Sequence, residues 1–114
     1  MSDGGDDVVD LIGDDYVRTI LAETRDGPKS VEALSDACSA DPSTIYRRVE
    51  RLQDAGLLTH EQRLDPGGHH YKEYDTALEA VHVHVRAEGY EIDIDFTEEE
   101  EPADRFTRLY EGFK

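Results

Sequence analysis

Residues 42–58 of the chain read PSTIYRRVERLQDAGLL. Within this stretch Ile45, Val49 and Leu52 recur at the i, i+4, i+7 spacing that places three side chains on one face of an α-helix. The pattern predicts an amphipathic helix over residues 42–55 with this apolar stripe buried. The opposite side carries polar and basic side chains, namely Ser43, Thr44, Tyr46, Arg47, Arg51 and Asp54.

Both ends of this helix have sequence signals. Asp41 is a suitable N-cap, since its carboxylate can accept free backbone N–H groups, and Pro42 suits the first helical position, where no N–H is needed. Gly56 favours a left-handed cap at the other end. Leu57 and Leu58 then begin a new element.

The neighbouring segments predict a winged helix. A short apolar turn of helix at residues 8–12 precedes a helix over residues 15–24, whose inner stripe is Tyr16, Ile20, Val17 and Leu21. A brief edge strand at Lys29-Ser30 is expected next, and residues 30–38 form a second, short helix that Ser30 can cap. A turn of about four residues separates this helix from the one at 42–55, as in a helix-turn-helix. Beyond it, two strands are joined by the turn sequence Asp-Pro-Gly-Gly at residues 65–68. An ordinary amphipathic helix with solvated arginines is the alternative, which this context disfavours.

The sequence resembles the small ArsR-type winged-helix regulators, in the form common among halophilic archaea. The resemblance is carried by PSTIYRRV at residues 42–49, Leu52, AGLL at 55–58 and RLDPGGHHY at 63–71. It covers roughly half of the chain, from about Asp15 to Asp75. It implies a DNA-binding architecture and leaves the target open.

The resemblance implies that helix 42–55 enters the major groove while the wing, residues 63–72, reaches the backbone or minor groove. Arg47 is the best placed for a base contact, because a guanidinium can donate two parallel hydrogen bonds to guanine. Arg48 and Arg51 are expected to contact phosphates, or one of them to pair with Glu50 or Asp54. The expected DNA-binding residues are Ser43, Thr44, Tyr46, Arg47, Arg48, Arg51, Arg63, His69, His70 and Lys72.

The charge of the chain is unusual for a protein that binds double-stranded DNA. The 114 residues have 28 acidic and 12 basic side chains, for a net charge of −16. Residues 27–74 contain 8 acidic and 6 basic side chains, whereas residues 75–114 contain 12 and 4. Such a composition suits molar salt, where screening suppresses self-repulsion. We therefore expect a halophilic protein with salt cations at its acidic surface, and a shallow or reversed salt dependence of DNA binding.

The C-terminal third predicts a second β-hairpin and a final helix. Alternating apolar residues at 81–85 and 90–96 flank a turn at Glu88-Gly89, which gives one apolar and one charged face. A helix over 102–113 then carries Phe106, Leu109, Tyr110 and Phe113 on one side. This stripe packs either on the core of its own chain or, as we prefer, across the twofold axis of a homodimer.

The predicted fold class is therefore α+β: a winged helix-turn-helix with a three-helix core and a β-wing, extended by the hairpin and the terminal amphipathic helix. We divide the chain into a disordered acidic leader at 1–7, a DNA-binding domain at 8–76 and a dimerisation extension at 77–114, packed on the same domain.

Other functional classes find little support. The sequence has no phosphate loop or nucleophile motif, so we expect no enzyme and no cofactor. His82 with His84, or His69 with His70, could chelate, but they lack partners at fixed spacing, so no metal site is predicted. The lone Cys38 and the acidic N-terminus indicate a cytoplasmic protein, and no apolar run is long enough to span a membrane. The rival function is a winged helix that binds proteins in a transcription or chromatin complex.

Overall fold

The computed structural model describes residues 4–97. The chain divides into two compact units, residues 1–76 and 77–114. The first helix begins at Gly4, inside the segment expected to be a disordered leader, and its apolar residues Val8 and Leu11 are buried. The elements of the first unit are α1 Gly4–Ile12, α2 Asp15–Asp26, α3 Val31–Cys38, α4 Pro42–Asp54, β1 Leu58–Leu64 and β2 His70–Thr76; those of the second are β3 Leu78–Arg86 and β4 Gly89–Phe96.

The predicted apolar stripe of α4 forms the centre of the helical core. Ile45, Val49 and Leu52 are at most 1% exposed. In α2 the buried residues are Val17, Ile20 and Thr24, and the Thr24 hydroxyl donates to the Ile20 carbonyl at 2.8 Å. The buried face of α2 therefore runs through residues 17, 20 and 24. The sequence had placed it on Tyr16, Ile20, Val17 and Leu21, of which Tyr16 and Leu21 are only half-buried.

The turn between α3 and α4 is tightly bonded. Ser30 caps α3 as predicted, its hydroxyl accepting from the Ala33 N–H at 3.1 Å. At the other end Ser39 adopts a left-handed conformation with φ of 52°. The Ala40 N–H then donates to the Ser35 carbonyl at 3.1 Å, which closes the helix in the Schellman pattern and turns the chain towards α4.

The ends of α4 agree with most of the predicted signals. Pro42 occupies the first turn, and Asp41 precedes it with extended backbone, but the Asp41 side chain accepts no capping hydrogen bond. Gly56 has φ of +79°, and the Leu57 N–H donates to the Leu52 carbonyl at 2.9 Å. This Schellman motif fixes the direction in which the chain leaves α4 and enters β1.

The wing is an antiparallel hairpin in which Leu64 faces His70 across the strands. At its tip the Gly68 N–H donates to the Asp65 carbonyl at 2.9 Å, and the Asp65 carboxylate accepts from the His69 N–H at 2.8 Å. At its base Lys29 and Tyr74 exchange both backbone hydrogen bonds, which adds the brief edge strand expected before α3. Together with the three-helix core of α2, α3 and α4, this arrangement is an α+β winged helix.

The second unit contains the antiparallel hairpin of β3 and β4. Its register pairs Val81 with Ile94, Val83 with Ile92, and Val85 with Tyr90. The alternation read from the sequence is therefore confirmed, because these six residues share one face. The predicted helix at 102–113 lies outside the described residues.

Candidate nucleic-acid interface

The outward face of α4 displays the polar residues that the sequence singled out. Ser43, Arg47 and Arg51 are exposed, Tyr46 is 53% exposed, and Thr44 is half-buried. The buried stripe on the opposite side holds this face rigidly, since it packs into the helical core. The structure thus brings five of the expected contact residues together on one surface of one helix.

Two arginines of α4 keep their charges unpaired within residues 8–97. Neither Arg47 nor Arg51 forms an ion pair with any side chain in that range. The alternative pairing of an α4 arginine with Glu50 or Asp54 is therefore not formed there. Both guanidinium groups are free to donate hydrogen bonds to an external acceptor.

Arg48 was expected to contact a DNA phosphate, but its side chain binds Asp14 of the same chain. Its Nε donates to the Asp14 carboxylate at 3.1 Å and its Nη2 lies 3.0 Å from the same oxygen. Its guanidinium also lies 5.5 Å from the centre of the Tyr16 ring. The side chain is 25% exposed and that of Asp14 is 22% exposed, so the pair fastens α4 to the start of α2.

Asp14 has two bonds that favour its charged form. Burial raises its pKa, but the hydrogen bond from the Val17 N–H at 3.1 Å and the contact with Arg48 outweigh burial and hold the pKa below its ordinary value. The same carboxylate therefore caps α2 and anchors α4. Sequence inspection gave Asp14 no role, because its partner lies 34 residues away.

Of the expected contact residues in the wing, two contact carboxylates of the same chain and two do not. Arg63 is held between two carboxylates, those of Glu61 and Glu73, each at 3.0 Å. The ring of His69 lies 3.7 Å from the Asp65 carboxylate at the tip. His70 and Lys72 are exposed, and none of the hydrogen bonds or ion pairs formed within residues 8–97 engages their side chains.

The comparison with protein families agrees with this geometry. Residues 12–61 match the family model described as "Helix-turn-helix domain". Residues 12–61 therefore have the helix-turn-helix fold. The match runs from the end of α1 through α4 into β1, and such a domain suggests a DNA-binding regulator. No curated protein matches the chain.

An open cleft of about 740 Å³ lies beside the outward face of α4. The start of α3, Tyr46 of α4 and the wing residues His70 and Lys72 line it. Gln62 and Tyr71 also contribute, although sequence reasoning did not select them. The alternation of the wing strands could have indicated Gln62, which pairs with the expected contact residue Lys72, and Tyr71, which pairs with Arg63 on the other face. The cleft also receives three acidic side chains, Glu32, Asp65 and Glu73.

Within the described residues, the metal-ligating side chains and Cys38 form no further chemical site that the contacts support. Among residues 8–97 no three His, Cys, Asp or Glu side chains are arranged to hold a metal ion. Cys38 is half-buried, and burial together with the nearby Glu23 and Asp14 carboxylates raises the pKa of its thiol. None of the helices in the described part of the chain is long and apolar enough to cross a membrane.

Proposed function

We propose that this protein is a transcriptional regulator of the ArsR type that reads double-stranded DNA sequence-specifically as a homodimer. In this proposal α4 occupies the major groove, and the wing at residues 63–72 follows the backbone or enters the minor groove. The assigned role is binding, with no catalytic step, no cofactor and no metal. Two copies on half-sites about one helical turn apart would supply the contacts that a single head lacks.

The contrast among the three arginines of α4 carries the proposal. Arg48 is used inside the protein, bonded to Asp14, whereas Arg47 and Arg51 point outward without an ion pair in the described range. An exposed, unpaired guanidinium on the outer face of a helix-turn-helix is placed for bidentate donation to guanine or to a phosphate. Arg47 is assigned to a base edge and Arg51 to the backbone.

The remaining expected contacts surround this pair. On α4, Ser43 and Tyr46 are exposed and Thr44 is half-exposed, so they extend the same surface. In the wing, Lys72 and His70 are assigned to phosphates. Arg63 and His69 keep that assignment as well, although DNA must compete there with the carboxylates of Glu61, Glu73 and Asp65.

The dimer interface is assigned to the apolar stripe of the C-terminal segment. Phe106, Leu109, Tyr110 and Phe113 recur at helical spacing in residues outside the described range. Four large apolar residues on so short a segment are unsuited to water and favour burial against a second copy.

The test is retention of DNA by the purified protein in molar KCl. Sheared genomic DNA is passed over the immobilised chain and the retained fragments are sequenced. Enrichment of an inverted repeat is expected, and its loss in the double variant Arg47→Ala/Arg51→Ala. The matched control is Arg18→Ala/Arg86→Ala, which removes two arginines that pair with Asp15 of α2 and Glu91 of β4. Equal retention by both double variants would contradict the proposal.

A protein-binding winged helix is the second candidate. The observation that favours it is the set of carboxylates lining the cleft beside α4, from Glu32, Asp65 and Glu73, which disfavours phosphate there. The same variants discriminate between the two functions. A protein-binding module would show no enriched DNA sequence in any variant, and its partner binding would survive loss of Arg47 and Arg51.

A further inference from the structure

The hairpin of β3 and β4 has an apolar face that is open to solvent. Val83 is 51% exposed, Val85 is 77% exposed and Tyr90 is 67% exposed. Val81, Ile92 and Ile94 share this face and are half-buried. We call these six residues the hairpin face. They form a continuous apolar strip, which marks an interaction surface more often than scattered apolar residues do.

On the opposite face of the hairpin, the polar side chains of the two strands contact one another. Polar side chains join the strands there: His82 lies 2.9 Å from Asp95, His84 lies 3.2 Å from Asp93, and Arg86 donates to Glu91 at 2.6 Å. Polar side chains paired in this way are suited to water. Because an isolated two-stranded hairpin is only marginally stable, burial of the hairpin face must supply the rest of its stability.

The size of the hairpin face limits what can cover it. Two strands of about eight residues present a strip roughly 26 Å by 10 Å, or about 250–300 Å². Two such faces packed against each other would bury only about 600 Å² in total, below the roughly 1,000 Å² expected of a specific interface. Direct face-to-face packing of two hairpins is therefore too small to hold a dimer.

We propose that the hairpin face of each copy receives the C-terminal segment, residues 102–113, of a second copy. This rests on the homodimer of the proposed function and specifies how its interface is built. Each exchange buries one hairpin face and one apolar stripe, so two exchanges bury about 1,200 Å² in total, which reaches the size of a specific interface.

The chain beyond Thr97 fits this occupancy in length and charge. A helix of 12 residues is about 18 Å long, shorter than the hairpin face. The connecting residues 97–101 reach up to about 17 Å. The segment, residues 102–113, contains 2 basic and 2 acidic side chains, whereas residues 77–97 contain 1 basic and 5 acidic. The segment therefore has no net charge, and the acidic hairpin does not repel it.

The test is complementation between two defective variants of the full chain in molar KCl, with mass measured by light scattering in the absence of DNA. Val83→Asp places a charge on the hairpin face, and Leu109→Asp places one on the segment. Each alone should weaken dimerisation by about 100-fold or more, because an unpaired charge would be buried. Their mixture should dimerise more strongly than either variant alone but more weakly than the wild type, since an intact segment meets an intact face in only one of the two exchanges, which buries about 600 Å².

Controls separate this effect from misfolding. Ala87→Asp adds the same charge at the exposed turn of the hairpin and should leave the dimer intact. Val83→Thr, which keeps the shape of the side chain, should weaken the dimer less than Val83→Asp. Circular dichroism verifies that the helical unit is retained in each variant.

Three results would overturn the proposal. A mixture that dimerises no more strongly than either variant alone would show that the segment packs on its own chain. A Val83→Asp variant that remains fully dimeric would show that the hairpin face is not the interface. A monomeric wild type would refute both the exchange and the homodimer, while leaving DNA reading by Arg47 and Arg51 to its own test.

Discussion

Replacing Arg48 by alanine separates the arginine that holds α4 in place from those assigned to DNA. The Arg48 guanidinium donates to the Asp14 carboxylate and lies beside the Tyr16 ring. A hydrogen bond between charged groups contributes about 1.5–3 kcal/mol, and a partly exposed cation–π contact about 0.5–1 kcal/mol. Because both side chains retain some exposure, we expect Arg48→Ala to lower the free energy of unfolding by about 1.5–2.5 kcal/mol.

The assay is chemical denaturation at fixed KCl concentration, followed by far-UV circular dichroism. A double-mutant cycle with Asp14→Asn isolates the pair, because asparagine can still cap α2 through its side-chain oxygen. The cycle should give a coupling energy of about 1–2 kcal/mol. The matched variant Arg47→Ala should change stability by less than about 0.5 kcal/mol, since Arg47 is exposed.

DNA affinity supplies the second half of the same test. Once the protein is folded, Arg47→Ala should weaken operator binding more than Arg48→Ala does. A coupling energy near zero, together with equal losses of affinity in the two variants, would refute this role. Arg48 would then be assigned to a DNA phosphate, as the sequence suggested.

Four further outcomes are expected. Gly56→Ala should cost about 1 kcal/mol, and Gly56→Asn less, since φ is +79° and no atom lies within 4 Å of an added Cβ; thermal unfolding that ranks alanine equal to glycine would contradict this. Because the folded pKa of Asp14 is lowered, its contribution is present above the unfolded pKa of about 3.9 and lost as the pH falls through the folded value; acid titrations of wild type and Asp14→Asn should therefore converge at low pH. The raised pKa of Cys38 should make its thiol react several-fold more slowly in the folded than in the denatured chain, as measured with a chromogenic disulfide at neutral pH. Operator affinity should change by less than about tenfold, or increase, between about 0.5 and 3 M KCl; a steep loss in fluorescence anisotropy titrations would count against bound cations.

Much of the first unit was predictable from short-range patterns. Pro42 and Gly56 marked the ends of α4, and the stripe through Ile45, Val49 and Leu52 gave its buried face. Such signals are local, because capping and helical periodicity depend on residues within one or two turns of each other. The shared apolar face of β3 and β4 followed from alternation for the same reason, but the turn lies at Ala87 and Glu88, one residue before the expected Glu88-Gly89.

Contacts between distant residues were not predictable. The bond from Arg48 to Asp14 depends on the angle at which α4 packs on α2, which no sequence spacing encodes. The start of the helix at Gly4–Ile12 was missed, since only a short turn of helix at residues 8–12 was expected, because Gly4, Gly5, Asp6 and Asp7 disfavour a helix by propensity alone. Burial of Val8 and Leu11 in the first unit overrides that preference.

The residues that anchor α4 are different from those that face outward, which makes α4 suitable for engineering. Positions 45, 48, 49 and 52 hold the helix against the rest of its unit, whereas positions 43, 47 and 51 face outward. A library randomised only at the outward positions would leave every anchoring contact in place. Under the proposed function, such a library should yield folded variants that prefer new DNA sequences, so this small acidic scaffold could be retargeted without redesign of its core.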